Sequence, residues 1–174
     1  MGRVTDRRQL SKAMAYHLRH GNEVPLLPGG WARIDDLLAV LRPRPPRDAL
    51  HVVVSQGDKP RFELSDDGEL VRARYGHSRD VDLGYIPARP PAVLFHGTAA
   101  TTVPALRAEG IRRRGRRFVH LSETRANAIQ VGARHGRPAV VEVAARPMHD
   151  DGHPFFHAAA GMWLTEAVPP QYLL

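Results

Sequence analysis

Arg19 and His20 stand side by side in YHLRHG, residues 16–21. A guanidinium stays charged and grips phosphate oxygens with a fork of N–H donors. An imidazole titrates near neutrality and can carry a proton. The pair therefore suits phosphate chemistry, although cations at a helix end also interact well with the macrodipole without any chemical role. The same residue types recur as Arg61 in RFEL (61–64), His96 in HGT (96–98), and Arg116 and His120 in RRFVHLS (116–122). Each has a structural alternative. Arg61 could solubilise a strand edge, His96 could be a structural histidine, and the arginines of 112–117 could form a solvated loop. Together they place Arg beside His or at strand ends in both halves of the chain. That arrangement suits a phosphate-rich substrate held between two domains.

The elements that must position these residues follow from periodicity. RRQLSKAMAYHLR reads as a helix with Leu10, Met14, His17 and Leu18 on one face. Lys12, Tyr16 and Arg19 fall on the opposite face, with His20 beside them. PGGWARIDDLLAVLRP predicts a turn and a helix from about Asp35, closed by Pro43. RPPRDALHVVVSQGD predicts a third helix with Leu50, Val53 and Val54 inward. RFEL and LVRARYG are two strands joined by SDDGE, a hairpin signature. Three helices and a hairpin are the order of a winged helix. Residues 83–92, rich in proline, read as a linker. They divide a first domain, 1–82, from a second, 93–174. In the second, strands at PAVLFHG, FVHLS, PAVVEVAA, HPFFHA and GMWLTEAV alternate with helices at TTVPALRAEG and ETRANAIQVGARHG. The fold class is α+β.

Composition narrows the chemistry. The 174 residues are 43% apolar and 25% charged, which is globular composition. The chain carries no cysteine, which removes disulfides and thiolate chemistry, and its net charge of +7 favours polyanions. Only Lys12 and Lys59 among the basic residues are lysines. No apolar run is long enough to span a bilayer, and MGRVTDRRQLSK lacks the apolar stretch of a secretory signal, so a cytoplasmic protein is expected. The chain has no G-x-G-x-x-G, P-loop, G-x-S-x-G or H-E-x-x-H motif. HDDGHPFFH (149–157) could suggest a metal site. However, Pro154 argues against a helix presenting His153 and His157 together, so a surface turn and no metal are expected.

The stretches LSKAMAYHLRH, GWARIDDLL, KPRFELSDDGELVRARYGHS, VLFHGT, FVHLS and GMWLTEAVPPQYL run nearly end to end through the chain. In type and order they resemble the RNA 2′-phosphotransferase family, NAD-dependent enzymes that remove the 2′-phosphate left at a splice junction by some tRNA ligases. The resemblance implies a winged-helix-like N-terminal lobe and an ADP-ribosyltransferase-like C-terminal lobe. It implies that the RNA 2′-phosphate attacks the anomeric carbon of the nicotinamide ribose, releasing nicotinamide. The neighbouring ribose hydroxyl then attacks phosphorus, giving RNA with a 2′-hydroxyl and ADP-ribose 1″,2″-cyclic phosphate. The family's catalytic set corresponds here to Arg19, His20, Arg61 and Arg116. NAD contacts correspond to His96, Gly97, Thr98, His120 and Ser122, with Gly97 expected to allow close approach of the backbone to a ligand. Lys12 and Tyr16 are expected near the RNA, and Gly76, His77 and Ser78 near the RNA or the lobe interface. The expected partners are RNA bearing a 2′-phosphate and NAD as co-substrate, with no membrane and no metal, the protein acting as a monomer.

Three departures stand out. Phe118 replaces a usual histidine, Tyr75 a usual glutamine, and FHAAAGMWL lacks a serine and an asparagine common before that segment. Two other readings stay open: an ADP-ribosyltransferase acting on nucleic acid phosphate ends, and a non-enzymatic winged-helix binder of nucleic acid.

Overall fold

The computed structural model describes residues 6–57 and 59–174. Its mixed helices and sheets are α+β. They form two compact units, Met1–Gly84 and Tyr85–Leu174.

The first unit contains α1 (Arg7–Arg19), β1 (Trp31–Arg33), α2 (Ile34–Val40), α3 (Arg47–Ser55), β2 (Phe62–Leu64) and β3 (Leu70–Ala73). Asp6 caps α1 by accepting from the Arg8 N–H at 2.9 Å, satisfying one of the unpaired donors of the first turn. Leu10, Met14 and Leu18 are buried at helical spacing, and each contributes about 1.5–3 kcal/mol by leaving water. They pack in one core with Ile34, Leu37, Leu50, Val53, Phe62 and Val71. β2 and β3 form the expected hairpin, antiparallel with Glu63 opposite Arg72. In its turn, Asp67 accepts from the Ser65 hydroxyl at 2.6 Å and from the Glu69 N–H at 3.0 Å. β1 adds an edge to β3, giving the order β1-β3-β2. The turn expected before α2 thus holds a short strand, and α2 begins at Ile34.

The second unit runs β4 (Leu94–Ala99), α4 (Val103–Glu109), β5 (Ile111–Arg112), β6 (Val119–Ser122), α5 (Arg125–Gly132), β7 (Pro138–Val143), α6 (Ala145–Asp150), β8 (Phe155–Ala159), β9 (Met162–Thr165) and β10 (Ala167–Val168). Five antiparallel strands pair in the order β7-β4-β6-β9-β8, and β5 pairs with β10. Leu94, Leu121, Val141, Val143, Phe155 and Trp163 fill its core. The proline-rich segment is tied to this unit. The Ala88 N–H donates to the Phe155 carbonyl at 2.8 Å, and the Arg146 guanidinium donates to the Pro90 carbonyl at 2.6 and 2.9 Å.

One expected element is corrected. The strand read through PAVVEVAA stops at Val143, and α6 occupies residues read as strand end and surface turn. Pro147 lies in the first turn of α6, where a missing N–H leaves no helical bond unmade. No helix among the described residues is long and apolar enough to cross a membrane.

Candidate active site

In the first unit, α1 delivers Arg19 and His20 to one point. Its buried stripe fixes the helix rotation, which leaves Lys12 exposed and Tyr16 largely exposed on the other side. The Tyr16 ring packs edge-on against His17 at 5.2 Å and lies 6.5 Å from the His20 ring. The helix closes with the N–H groups of His20 and Gly21 both donating to the Tyr16 carbonyl, at 2.8 and 2.9 Å. Gly21 does not take the left-handed conformation common past a helix end.

The Arg19 guanidinium lies 5.0 Å from the ring centroid of Tyr75 and 5.9 Å from that of Phe62. Such packing restrains a planar cation and favours its charge. Gly76 follows with φ of 88°, and a Cβ there would press on the Arg19 guanidinium at 3.4 Å. Glycine therefore serves both the backbone conformation and the close approach. Two residues on, the N–H groups of Ser78 and Arg79 donate to the Arg19 carbonyl at 3.1 and 3.3 Å. The Ser78 hydroxyl lies 2.9 Å from His20 Nδ1. His77 is buried between them in sequence, with Nε2 facing Gly30. Arg61 is half-buried and immediately precedes Phe62, whose ring faces Arg19. Its carbonyl accepts from the Arg74 N–H at 2.9 Å, which extends the β2–β3 ladder through this residue. Thus the structure gathers Arg19, His20, Gly76 and Ser78, and holds Arg61 beside a wall of that group. Lys12 lies nearly two turns back along α1, away from the gathered residues.

In the second unit, β4 and β6 bring two histidines together. His96 Nδ1 lies 3.2 Å from the His120 carbonyl, and His120 Nδ1 lies 3.1 Å from the Phe118 carbonyl. A carbonyl only accepts, so both rings carry a hydrogen on Nδ1. Burial pushes the His96 imidazole below its ordinary value. The Arg114 and His135 charges act the same way, and the bond to His120 opposes them. His96 is therefore neutral at neutral pH. Ser122, at the end of β6, pairs with Phe95, and both Ser122 and Thr98 are buried.

Gly97 is required by packing within the unit itself. A Cβ at this position would overlap the Ala128 carbonyl of α5, and one at Gly132 would meet the Thr98 carbonyl at 2.6 Å. These two glycines let α5 lie directly on β4. Arg116 is exposed in the loop between β5 and β6.

Sequence reasoning left several participants unassigned. Arg114 acts on the charge of His96, and the run RRRGRR was its only signal. Two of the three departures from the family pattern, Tyr75 and Phe118, have a place. Tyr75 is a wall for Arg19, and Phe118 packs edge-on against Tyr85 at 5.9 Å and Phe156 at 5.5 Å. The histidines of HDDGHPFFH go to three different rings: His149 to Phe155, His153 to Tyr172 and His157 to Trp163. Among the described residues, no group of three or more His, Asp or Glu side chains could hold a metal ion.

Residues 5–167 match the sequence model of the "RNA 2'-phosphotransferase, Tpt1 / KptA family". The chain belongs to this family, a family of enzymes. It is 43% identical over 171 residues to the probable RNA 2′-phosphotransferase of Acaryochloris marina, covering 95% of this chain and 94% of that protein. It is 47% identical over 169 residues to the protein of the same name in Agrobacterium fabrum, covering 94% and 91%. The corresponding Streptomyces coelicolor protein is 46% identical over 171 residues, covering 95% and 93%.

Proposed function

We propose that this protein removes a 2′-phosphate from RNA with NAD as co-substrate, through a winged-helix-like first lobe and an ADP-ribosyltransferase-like second lobe. The products are RNA with a 2′-hydroxyl, nicotinamide and ADP-ribose 1″,2″-cyclic phosphate. NAD supplies an anomeric carbon with a cationic leaving group and a neighbouring hydroxyl. The observation that carries this reading is the Arg19–His20 pair, held by Tyr75, Gly76 and Ser78 in a chain that matches the family almost throughout.

Each residue has work to do. The guanidiniums of Arg19, Arg61 and Arg116 bind and orient phosphate oxygens and offset charge that builds as phosphorus is attacked. His20 takes the proton of the attacking hydroxyl and holds one for the departing 2′-oxygen. His96 presents a neutral imidazole acceptor that fits the hydroxyl and carboxamide donors of NAD, and His120 stands beside it, so that β4 and β6 bind and orient the dinucleotide. Lys12, Tyr16, Gly76, His77 and Ser78 stand on the RNA side. The reading also implies that the protein acts as a cytoplasmic monomer.

The test is a short RNA carrying one internal 2′-phosphate, incubated with the protein with and without NAD, followed by product analysis. Release of nicotinamide together with RNA 2′-hydroxyl supports the proposal. Dephosphorylation without NAD, or none with it, overturns it.

A further inference from the structure

The Ser78 hydroxyl stands between two groups at the end of α1. Its oxygen is 2.9 Å from His20 Nδ1 and 3.4 Å from the Arg19 carbonyl. A hydroxyl has one proton to give. The Arg19 carbonyl is the terminal one of the helix, carries part of its negative pole, and only accepts. The Ser78 N–H already donates to that same carbonyl at 3.1 Å, with Arg79 beside it at 3.3 Å. These bonds hold the Ser78 main chain against the helix end whatever the imidazole does. With its proton toward the carbonyl, Oγ turns a lone pair to the ring, and Nδ1 must carry the hydrogen.

We propose that Ser78 is a positioning residue that holds His20 as the Nδ1–H tautomer, so that Nε2 is the nitrogen that takes and returns the proton. His96 and His120 likewise hold a hydrogen on Nδ1 through carbonyl acceptors. At His20 the acceptor is a side chain instead, and one that mutation can remove. Without the hydroxyl, a histidine relaxes toward the opposite tautomer and rotates freely about χ2. This inference rests on the reading of His20 as the proton carrier.

The experiment has two arms. Imidazole ¹⁵N NMR of the full-length protein at a pH where His20 is neutral reports the tautomer directly, independent of activity. Wild type should show Nδ1 protonated and Nε2 bare, and Ser78→Ala should shift the ring toward Nε2–H. Steady-state turnover of 2′-phosphorylated RNA is the second arm. Ser78→Ala should lose about tenfold or more in kcat, a share of the 10²–10⁴-fold contribution of general acid–base catalysis. Ser78→Thr, which keeps a hydroxyl, should restore both signals and serves as the folding control. An Nε2–H tautomer in wild type, or wild-type kcat in Ser78→Ala, overturns the proposal. An Nδ1–H tautomer in a protein that does not turn over this RNA with NAD defeats the functional reading and leaves the tautomer assignment standing.

Discussion

His96 Nδ1 donates to the main-chain carbonyl of His120 across 3.2 Å, so one histidine of the β4–β6 pair is oriented by the backbone of the other. The bond fixes ring and tautomer together, while burial keeps His96 from protonating. A lowered imidazole pKa has a definite sign for stability. Above the ordinary value of 6.5 the ring is neutral folded and unfolded, and its full contribution is present. As pH falls below 6.5 the unfolded chain takes up the proton first, and stability is lost until the folded pKa is passed. Urea denaturation from pH 7.5 downward should therefore show a decline of at most about 1.4 kcal/mol per pH unit from this residue. His96→Gln should flatten that part of the curve. An unchanged slope would show that burial does not control this ring.

Gly97→Ala should destabilise the protein by at least about 1–3 kcal/mol, the usual cost of overpacking. Its Cβ meets main chain at Ala128, which cannot rotate away as a side chain would. Denaturant titration measures this, and Gly84→Ala is the comparison in open space, where only the backbone conformation (φ of 66°) is at issue. A Gly97→Ala protein as stable as wild type would mean that α5 does not lie on β4 this closely.

His96→Ala and Arg61→Ala should fail differently. The first should raise the NAD concentration needed for half-maximal rate. The second should cut kcat/KM for 2′-phosphorylated RNA by about 10²-fold, the cost of losing one donor to a developing oxyanion. Steady-state kinetics with each substrate varied in turn separates the two. If His96→Ala leaves the NAD dependence untouched, its assignment to NAD fails.

Arg19→Lys keeps the charge and loses the flat face that packs between Phe62 and Tyr75. Phosphate handling should fall by about tenfold or more, since lysine cannot reproduce a stacked, bidentate arginine. In Arg19→Ala and His20→Ala, attack on phosphorus should suffer more than release of nicotinamide. RNA whose 2′-phosphate is still joined to ADP-ribose should then accumulate. A gel time course resolves substrate, joined species and product. Equal loss of both steps would leave these residues a binding role only.

Much of the frame was legible in the sequence because its signals are local. The stripe Leu10, Met14 and Leu18 sits at helical spacing, and SDDGE carries its own turn chemistry, so α1 and the β2–β3 hairpin could be read directly. β1 and β5 could not. They span only three and two residues, and partners distant in sequence make them strands. α6 was hidden because Pro147 reads as a breaker until its place in the first turn is known. At the site, residue types announced phosphate chemistry, yet what holds them came from far along the chain. Nothing around Arg19 hints at walls from Phe62 and Tyr75, and nothing around Gly97 announces the Ala128 carbonyl.

The clamp of Ser78 and Arg79 on the Arg19 carbonyl has a consequence for the order in which the protein is made. The Ser78 hydroxyl and the imidazole it touches are 58 residues apart. A ribosome working at about 5–20 residues per second finishes α1 several seconds before residue 78 is polymerised. During that interval the helix can form, but its last carbonyl lacks these three donors and its histidine lacks an orienting partner. The contact between His20 and Ser78 therefore arises only after the nascent first unit has closed on itself, and a chain truncated before residue 78 carries the Arg–His pair without that hydroxyl beside it.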